Sequence, residues 1–174
     1  MAGQRRQNRV LALDFFKADA LQLAPMLLGK YLVREHEGNI VRLVINEVEA
    51  YLGEEDLACH ASKGRTPRTE VMYLEGGHIY IYLIYGMYYM LNIVTGKKDH
   101  PQAILIRGTQ EISGPGRLTK FLQIDKTLNA KLLTPDNGLW IEESGIKLNY
   151  KTTPRIGVAY AKEWALKPWR YVAD

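Results

Sequence analysis

A single cysteine, Cys59, stands in the whole chain of 174 residues. That excludes an internal disulfide framework and a cysteine-based zinc site. Histidine is also sparse. His36, His60, His78 and His100 show neither HExxH nor a short His-x-His spacing, so no metal is expected. A Cys59–His60 nucleophilic pair is disfavoured, because the side chains of adjacent residues rarely converge. GxSxG, Walker and GxGxxG motifs are missing, and no cofactor is expected. No repeat, linker or low-complexity tract breaks the chain, which leaves one domain over residues 1–174. Net charge is only +4, which permits nucleic acid without demanding it.

One long run lacks charge altogether: Ile79–Gly96, eighteen residues. Its length fits a membrane span, but the five tyrosines in it favour an interface over a bilayer centre, so no span is expected. The opening MAGQRRQNRVLALDFFKADA imitates a signal peptide. Asp14 and Lys17 interrupt its apolar stretch, and no small-x-small cleavage site follows. A cytoplasmic protein is expected, nucleoid-associated in a bacterium or nuclear in a eukaryote.

What the chain has in excess is tyrosine, 11 against 3 phenylalanines. Six of them, Tyr73, Tyr80, Tyr82, Tyr85, Tyr88 and Tyr89, fall within residues 73–89. In residues 79–84 alternation puts Tyr80 and Tyr82 on one strand face and Ile79, Ile81 and Leu83 on the other. Tyr85–Gly86 then reads as the turn of a hairpin whose second strand is 88–94. A row of phenol rings is what base stacking uses, and an aromatic at a hairpin tip must find a partner outside its own hairpin, as wedges in DNA do. The plain alternative is that tyrosine simply suits strands. That accounts for Tyr80, Tyr82, Tyr88 and Tyr89 but poorly for Tyr85.

Around the hairpin, residues 11–30 carry Leu21, Leu23, Ala24, Leu27 and Leu28 at helical spacing, with Asp19 or Asp14 as cap and Gly29 as stop. Residues 31–35 and 40–51 alternate as strands. In the second, Val41, Leu43, Ile45, Glu47, Glu49 and Tyr51 are expected to share one face. Residues 52–70 read as a long loop, 103–109 as a strand, and Ser113-Gly-Pro-Gly116 as the start of a helix over RLTKFLQI. The Gly114-Pro115-Gly116 turn offers backbone N–H groups suited to phosphate. Strands and turns return from residue 128. Without βαβ alternation the expected fold is α+β: a single domain with a curved, mostly antiparallel sheet, peripheral helices and a protruding β-hairpin.

Charge is segregated. Residues 47–56 hold only acids, and 97–131 hold seven cations against three acids, equal to the excess of the whole chain. This reads either as solvated loops or as a phosphate-facing surface beside a carboxylate-bearing pocket. Glu49, among apolar neighbours of its strand face, is either desolvated, which would make it a better base at neutral pH, or a strand-end glutamate facing water. Glu47 lies two residues away, about 6.6 Å along the strand. That spacing admits a sugar hydrolase with paired carboxylates, although such pairs usually come from different strands.

The strings NEVEAYLGEEDLACHASKGRTPRTEVMY (46–73) and GHIYIYLIYGMYYMLNIV (77–94) resemble the alkyladenine, or 3-methyladenine, DNA glycosylases of the single-domain mixed α/β type. LDFFKADALQLAPMLLGKYLV, AILIRG, GPGRLTKFLQIDK and PRIGVAYAKEWALKPWRY extend the resemblance over nearly the whole chain. The resemblance implies a monofunctional enzyme that excises alkylated or deaminated purines from double-stranded DNA. It implies that Glu49 is the general base that activates water, and that Tyr51 and Tyr82 sandwich the extruded base with His60 at its edge. It further implies that Asn92 crowds a purine 2-amino group, that Tyr85 fills the gap in the duplex, and that Arg107 lies near phosphate and water. The main chain at Ile156 would help hold that water. A monomer is expected. Two departures stand out. Only GTQEIS separates Arg107 from Gly114, where the family usually carries a longer insert, which can trim the DNA-facing edge or change the range of lesions. The chain also stops at YVAD, short of the family's last residues, which can weaken the terminal strand. Two rival readings stay open: a non-catalytic sensor of damaged DNA on the same scaffold, and the sugar hydrolase.

Overall fold

A computed structural model describes residues 9–174. The basic part of the leader-like opening, residues 1–8, lies outside the described residues. Of the two candidate caps, Asp19 acts: its carboxylate accepts the Leu21 N–H at 2.8 Å and starts helix α1, Ala20–Leu27. Gly29, at φ +88°, turns the chain out of it. Residues 13–17 form a separate 3₁₀ turn, because Ala18 is extended and parts the helical pattern in two.

Eight strands follow: β1 (Tyr31–His36), β2 (Asn39–Tyr51), β3 (Ile79–Ile84), β4 (Tyr88–Thr95), β5 (Gln102–Thr109), β6 (Leu139–Glu142), β7 (Tyr150–Thr153) and β8 (Arg170–Ala173). A second short helix, α2 (Pro115–Phe121), lies between β5 and β6. Every strand pair is antiparallel, in the order β3-β4-β5-β2-β1-β6, with β8 joined to β2 and β7 to β8. The fold is thus α+β, one curled antiparallel sheet with helices against it. Its hub is β2, thirteen residues long, which pairs with β1 over its first half and with both β5 and β8 around Glu47–Glu49.

The strand reading of β2 needs one correction, and it decides where the site lies. Leu43 and Ile45 face the main core, but so do Val48 and Ala50. Strict alternation cannot do this. Opposite β5 the pairing runs Ile45 to Thr109, Glu47 to Gly108, then Val48 to Ile106, so Asn46 on β2 and Arg107 on β5 are each passed over. These two irregularities cancel in register but exchange the faces of β2 after Ile45. Glu49 and Tyr51 therefore point away from the core face of Leu43 and Ile45, not with it.

The charge-free run 79–96 forms the β3–β4 hairpin, and no helix among the described residues is long and apolar enough to cross a membrane. Ile79 and Ile81 enter the core while Tyr80 and Tyr82 take the opposite face. At the tip Tyr85 and Gly86 both hold positive φ, +51° and +65°, and Met87 N–H closes the turn on the Ile84 carbonyl. Tyr85 is 88% exposed. A non-glycine residue held in this region with its ring in solvent is strain without a packing return, which is typical of functional positions.

Candidate active site

A cavity of about 510 Å³ opens on the face of the sheet opposite the main core, at the base of the hairpin. Tyr51, His60, Tyr82, Tyr85, Asn92, Arg107 and Ile156 all border it, so the structure gathers there seven of the eight residues singled out from sequence. The eighth, Glu49, lies directly behind them with no exposed surface.

The carboxylate of Glu49 is held by three of those cavity groups. Tyr51 donates its hydroxyl to Oε1 at 2.9 Å, the Ile156 backbone N–H donates to Oε2 at 2.7 Å, and Arg107 Nη1 stands 3.6 Å from Oε1. Ile156 thus contacts the carboxylate itself through its main chain. Burial raises the Glu49 pKa above the ordinary carboxylate value, against the pull of Arg107, Ile156 and Tyr51. The Tyr51 phenol, buried against that carboxylate, is pushed well above its ordinary value and remains a donor. A carboxylate accepts about four hydrogen bonds, so Oε2 keeps one position open.

Glu47 does not act as a second free acid. Its Oε1 accepts from Arg107 Nε at 3.1 Å and from Arg170 Nε at 2.7 Å. This clamp fixes the guanidinium that faces Glu49. The sugar-hydrolase reading, which needs two available carboxylates, therefore loses its second group.

On the opposite wall, His60 packs edge-on against Tyr82, ring centroids 4.4 Å apart, and its Nδ1 lies 2.9 Å from the Tyr80 hydroxyl. Burial, aided by the cations of Arg68 and Lys63, lowers the His60 pKa to about 4, so the ring is neutral at physiological pH. Tyr80 is therefore part of the site, where the sequence suggested ordinary strand packing. Its alternation with Tyr82 was the available signal. Asn92, buried, donates from Nδ2 to the Tyr80 and Met90 carbonyls, which leaves its Oδ1 uncommitted to the backbone. Cys59 is buried and its thiol is pushed up to about 11, which leaves it inert beside His60.

One pair had no sequence signal. Asp56, at the end of the acidic run, is fully buried with Arg155 in a two-pronged ion pair of 2.6 and 2.8 Å. Asp56 also accepts the Leu52 and Ala58 N–H groups, and Arg155 donates to the Ala50 and Trp164 carbonyls. Arg155 immediately precedes Ile156, so this pair pins the segment that carries the N–H facing Glu49. The acidic run is thus divided: Glu49 and Asp56 are buried, Glu47 is paired, and only Glu54 and Glu55 face solvent. Of the cations in 97–131, Arg107 reaches the cavity and the other six are exposed. The Gly114–Gly116 turn opens a helix of only seven residues. Gly116 is needed for contact, since a Cβ there would lie 2.8 Å from the Tyr88 ring.

Residues 14–113 and 109–174 match the family described as methylpurine-DNA glycosylase, in two stretches that overlap at residues 109–113. Three similar proteins carry the name "Putative 3-methyladenine DNA glycosylase". One from Legionella pneumophila (strain Corby) is 46% identical, covering 95% of this chain and 96% of its own. One from Methanocella arvoryzae is 43% identical over 93% and 91%, and one from Sodalis glossinidius is 43% identical over 94% and 96%. With the family model spanning both halves and relatives at this identity aligned end to end, the chain belongs to the methylpurine-DNA glycosylase family.

Proposed function

We propose that this DNA glycosylase flips an alkylated or deaminated purine out of duplex DNA into the cavity and hydrolyses its N-glycosidic bond with a water activated by Glu49. The observation that carries this reading is the buried Glu49 carboxylate, raised in pKa and held directly behind the cavity wall by Tyr51, Arg107 and the Ile156 N–H. The wedge is Tyr85, and extrusion costs least for a damaged pair. Tyr51 and Tyr82 flank the extruded base, with neutral His60 and Asn92 at its edges. Water attacks C1′, its proton passes to the open position on Glu49 Oε2, and the C1′–N bond electrons leave with the purine.

A cationic N3- or N7-alkylpurine becomes neutral as it departs and needs no acid. With a pKa of about 4, His60 is not protonated at neutral pH and is not that acid. Among the described residues no lysine lines the cavity, which favours hydrolysis by water over an amine nucleophile and strand cleavage. The test is release of free base from duplexes carrying 3-methyladenine, 7-methylguanine or hypoxanthine. Release from at least one is expected. Lesion binding without release from any would establish the non-catalytic sensor instead.

A further inference from the structure

Each aromatic wall of the cavity has a guanidinium stacked against it. Arg155 Cζ lies 4.8 Å from the Tyr51 ring centre and Arg68 Cζ lies 5.4 Å from that of Tyr82. Neither arginine borders the cavity, and a base stacked on either ring would take the face the guanidinium leaves free. The two differ in charge balance. Arg155 is fully buried and neutralised by Asp56. Arg68 is exposed, and among the described residues no carboxylate lies within 4.0 Å of it, whereas its neighbour Arg65 pairs with Asp99 and Glu70.

We infer that Arg68 is a specificity-determining residue that sets how far the pocket favours a cationic base over a neutral one. The inference rests on the glycosylase reading above for the identity of the base. Two effects act in the same direction. A cation behind Tyr82 draws on the negative face of the ring, which weakens its attraction for a positive charge on the other side. It also repels that charge directly. A base stacked about 3.5 Å from the free face of the ring lies about 9 Å from the guanidinium, a distance at which a unit charge still changes an equilibrium about twofold to twentyfold between aqueous and protein-surface screening. Arg68 already acts in this way on His60, where its positive charge opposes protonation of the imidazole. Glu49 and Arg68 are then opposed: the buried carboxylate attracts a cationic base from one side, and the unpaired guanidinium restrains that attraction from the other. The balance lets one pocket hold neutral as well as charged lesions.

The experiment compares wild type with Arg68→Met and Arg68→Lys on two duplexes, one carrying cationic 7-methylguanine and one carrying neutral hypoxanthine. Single-turnover base release and lesion affinity are both read. For Arg68→Met the ratio of cationic to neutral kcat/KM is expected to rise about twofold to twentyfold at low salt and less at high salt, where the exposed charge is screened. Arg68→Lys keeps the wild-type ratio. An independent readout needs no turnover: the NMR titration midpoint of His60 rises in Arg68→Met from its wild-type position. A ratio unchanged in Arg68→Met, with both lesions weakened equally, means that Arg68 only holds phosphate or structure, and overturns the inference. An unmoved His60 midpoint overturns it as well. Failure of wild type to release any base would overturn the glycosylase reading, while the His60 titration would still report on the field of Arg68.

Discussion

The Ile156 backbone N–H and Glu49 Oε2 meet at 2.7 Å across 107 residues of chain. Neither is oriented by its own neighbours alone. Glu49 is aimed by the irregular pairing of β2 and β5, and Ile156 is fixed by the Arg155–Asp56 pair beside it. The Glu49 carboxylate is thus held from distant parts of the sequence, and each hold can be tested.

Glu49→Gln keeps the shape of the side chain and removes the base. Turnover is expected to fall about 10²- to 10⁴-fold, the usual contribution of general acid–base catalysis, with lesion affinity close to wild type. Single-turnover release and equilibrium binding to the same duplex separate the two. Activity within a few-fold of wild type would remove Glu49 from the role.

The raised pKa of Glu49 sets two pH dependences. Because the base must be deprotonated, single-turnover rate falls on the acid side with a midpoint above the ordinary carboxylate value of 4.5. His60, already neutral, adds no step at physiological pH. For stability, the unfolded chain gives up the Glu49 proton first, so folding loses stability as pH rises from that ordinary value through the raised one. Glu49→Gln is therefore expected to unfold at a higher temperature than wild type at pH 7, and the difference shrinks toward pH 4. A lower Tm at pH 7 would show that the charge is stabilising as placed.

Asp56→Ala leaves the Arg155 guanidinium buried without its partner. Breaking such a pair costs about 3–5 kcal/mol, read as a lower denaturant midpoint in urea. Because Ile156 is anchored through Arg155, base release is also expected to fall at temperatures where the variant is still folded. Wild-type stability would show that the pair is not what holds the 155–156 segment.

Glu47→Ala frees both Arg107 and Arg170. The expected loss is in kcat rather than KM, about tenfold for a displaced positioning charge worth about 1.4 kcal/mol. A loss confined to KM would instead place Glu47 with DNA binding.

Tyr85→Ala removes a ring that is 88% exposed, so thermal stability is expected to stay within about 0.5 kcal/mol of wild type. Affinity for lesion duplex should fall by the value of one stacked base, about 1–3 kcal/mol. Equal affinity of both proteins would show that the hairpin tip stays outside the duplex.

The parts of the fold and site that were legible in sequence are those carried by local pattern. Asp19 and Gly29 bound α1, Tyr85–Gly86 turns the hairpin, and alternation sorts Ile79 and Ile81 from Tyr80 and Tyr82. The grouping of Glu49 with Tyr51, Tyr82 and Arg107 came from the family resemblance, and the structure lines one cavity with the last three and buries Glu49 directly behind them. What stayed hidden depends on pairing between distant segments. Nothing near Asp56 marks it as buried, since its partner is 99 residues away. Nothing in β2 marks the change of faces at Asn46, because an irregular pairing belongs to two strands and only one can be read at a time.

That change of faces means that the reactive geometry is encoded by a count as well as by residue types. Asn46 supplies no group to the cavity, yet it is the step that turns the rest of β2 over. The same residues in a regularly paired β2 would retain every acid, ring and guanidine named above. With Asn46 kept and β2 alternating regularly from Ile45, Glu49 would be carried toward the hydrocarbon interior and Val48 toward the cavity. Deletion of Asn46 alone would keep the faces of Val48 and Glu49 but leave the extra residue at Arg107 on β5 uncompensated in register, so the two strands constrain each other's length.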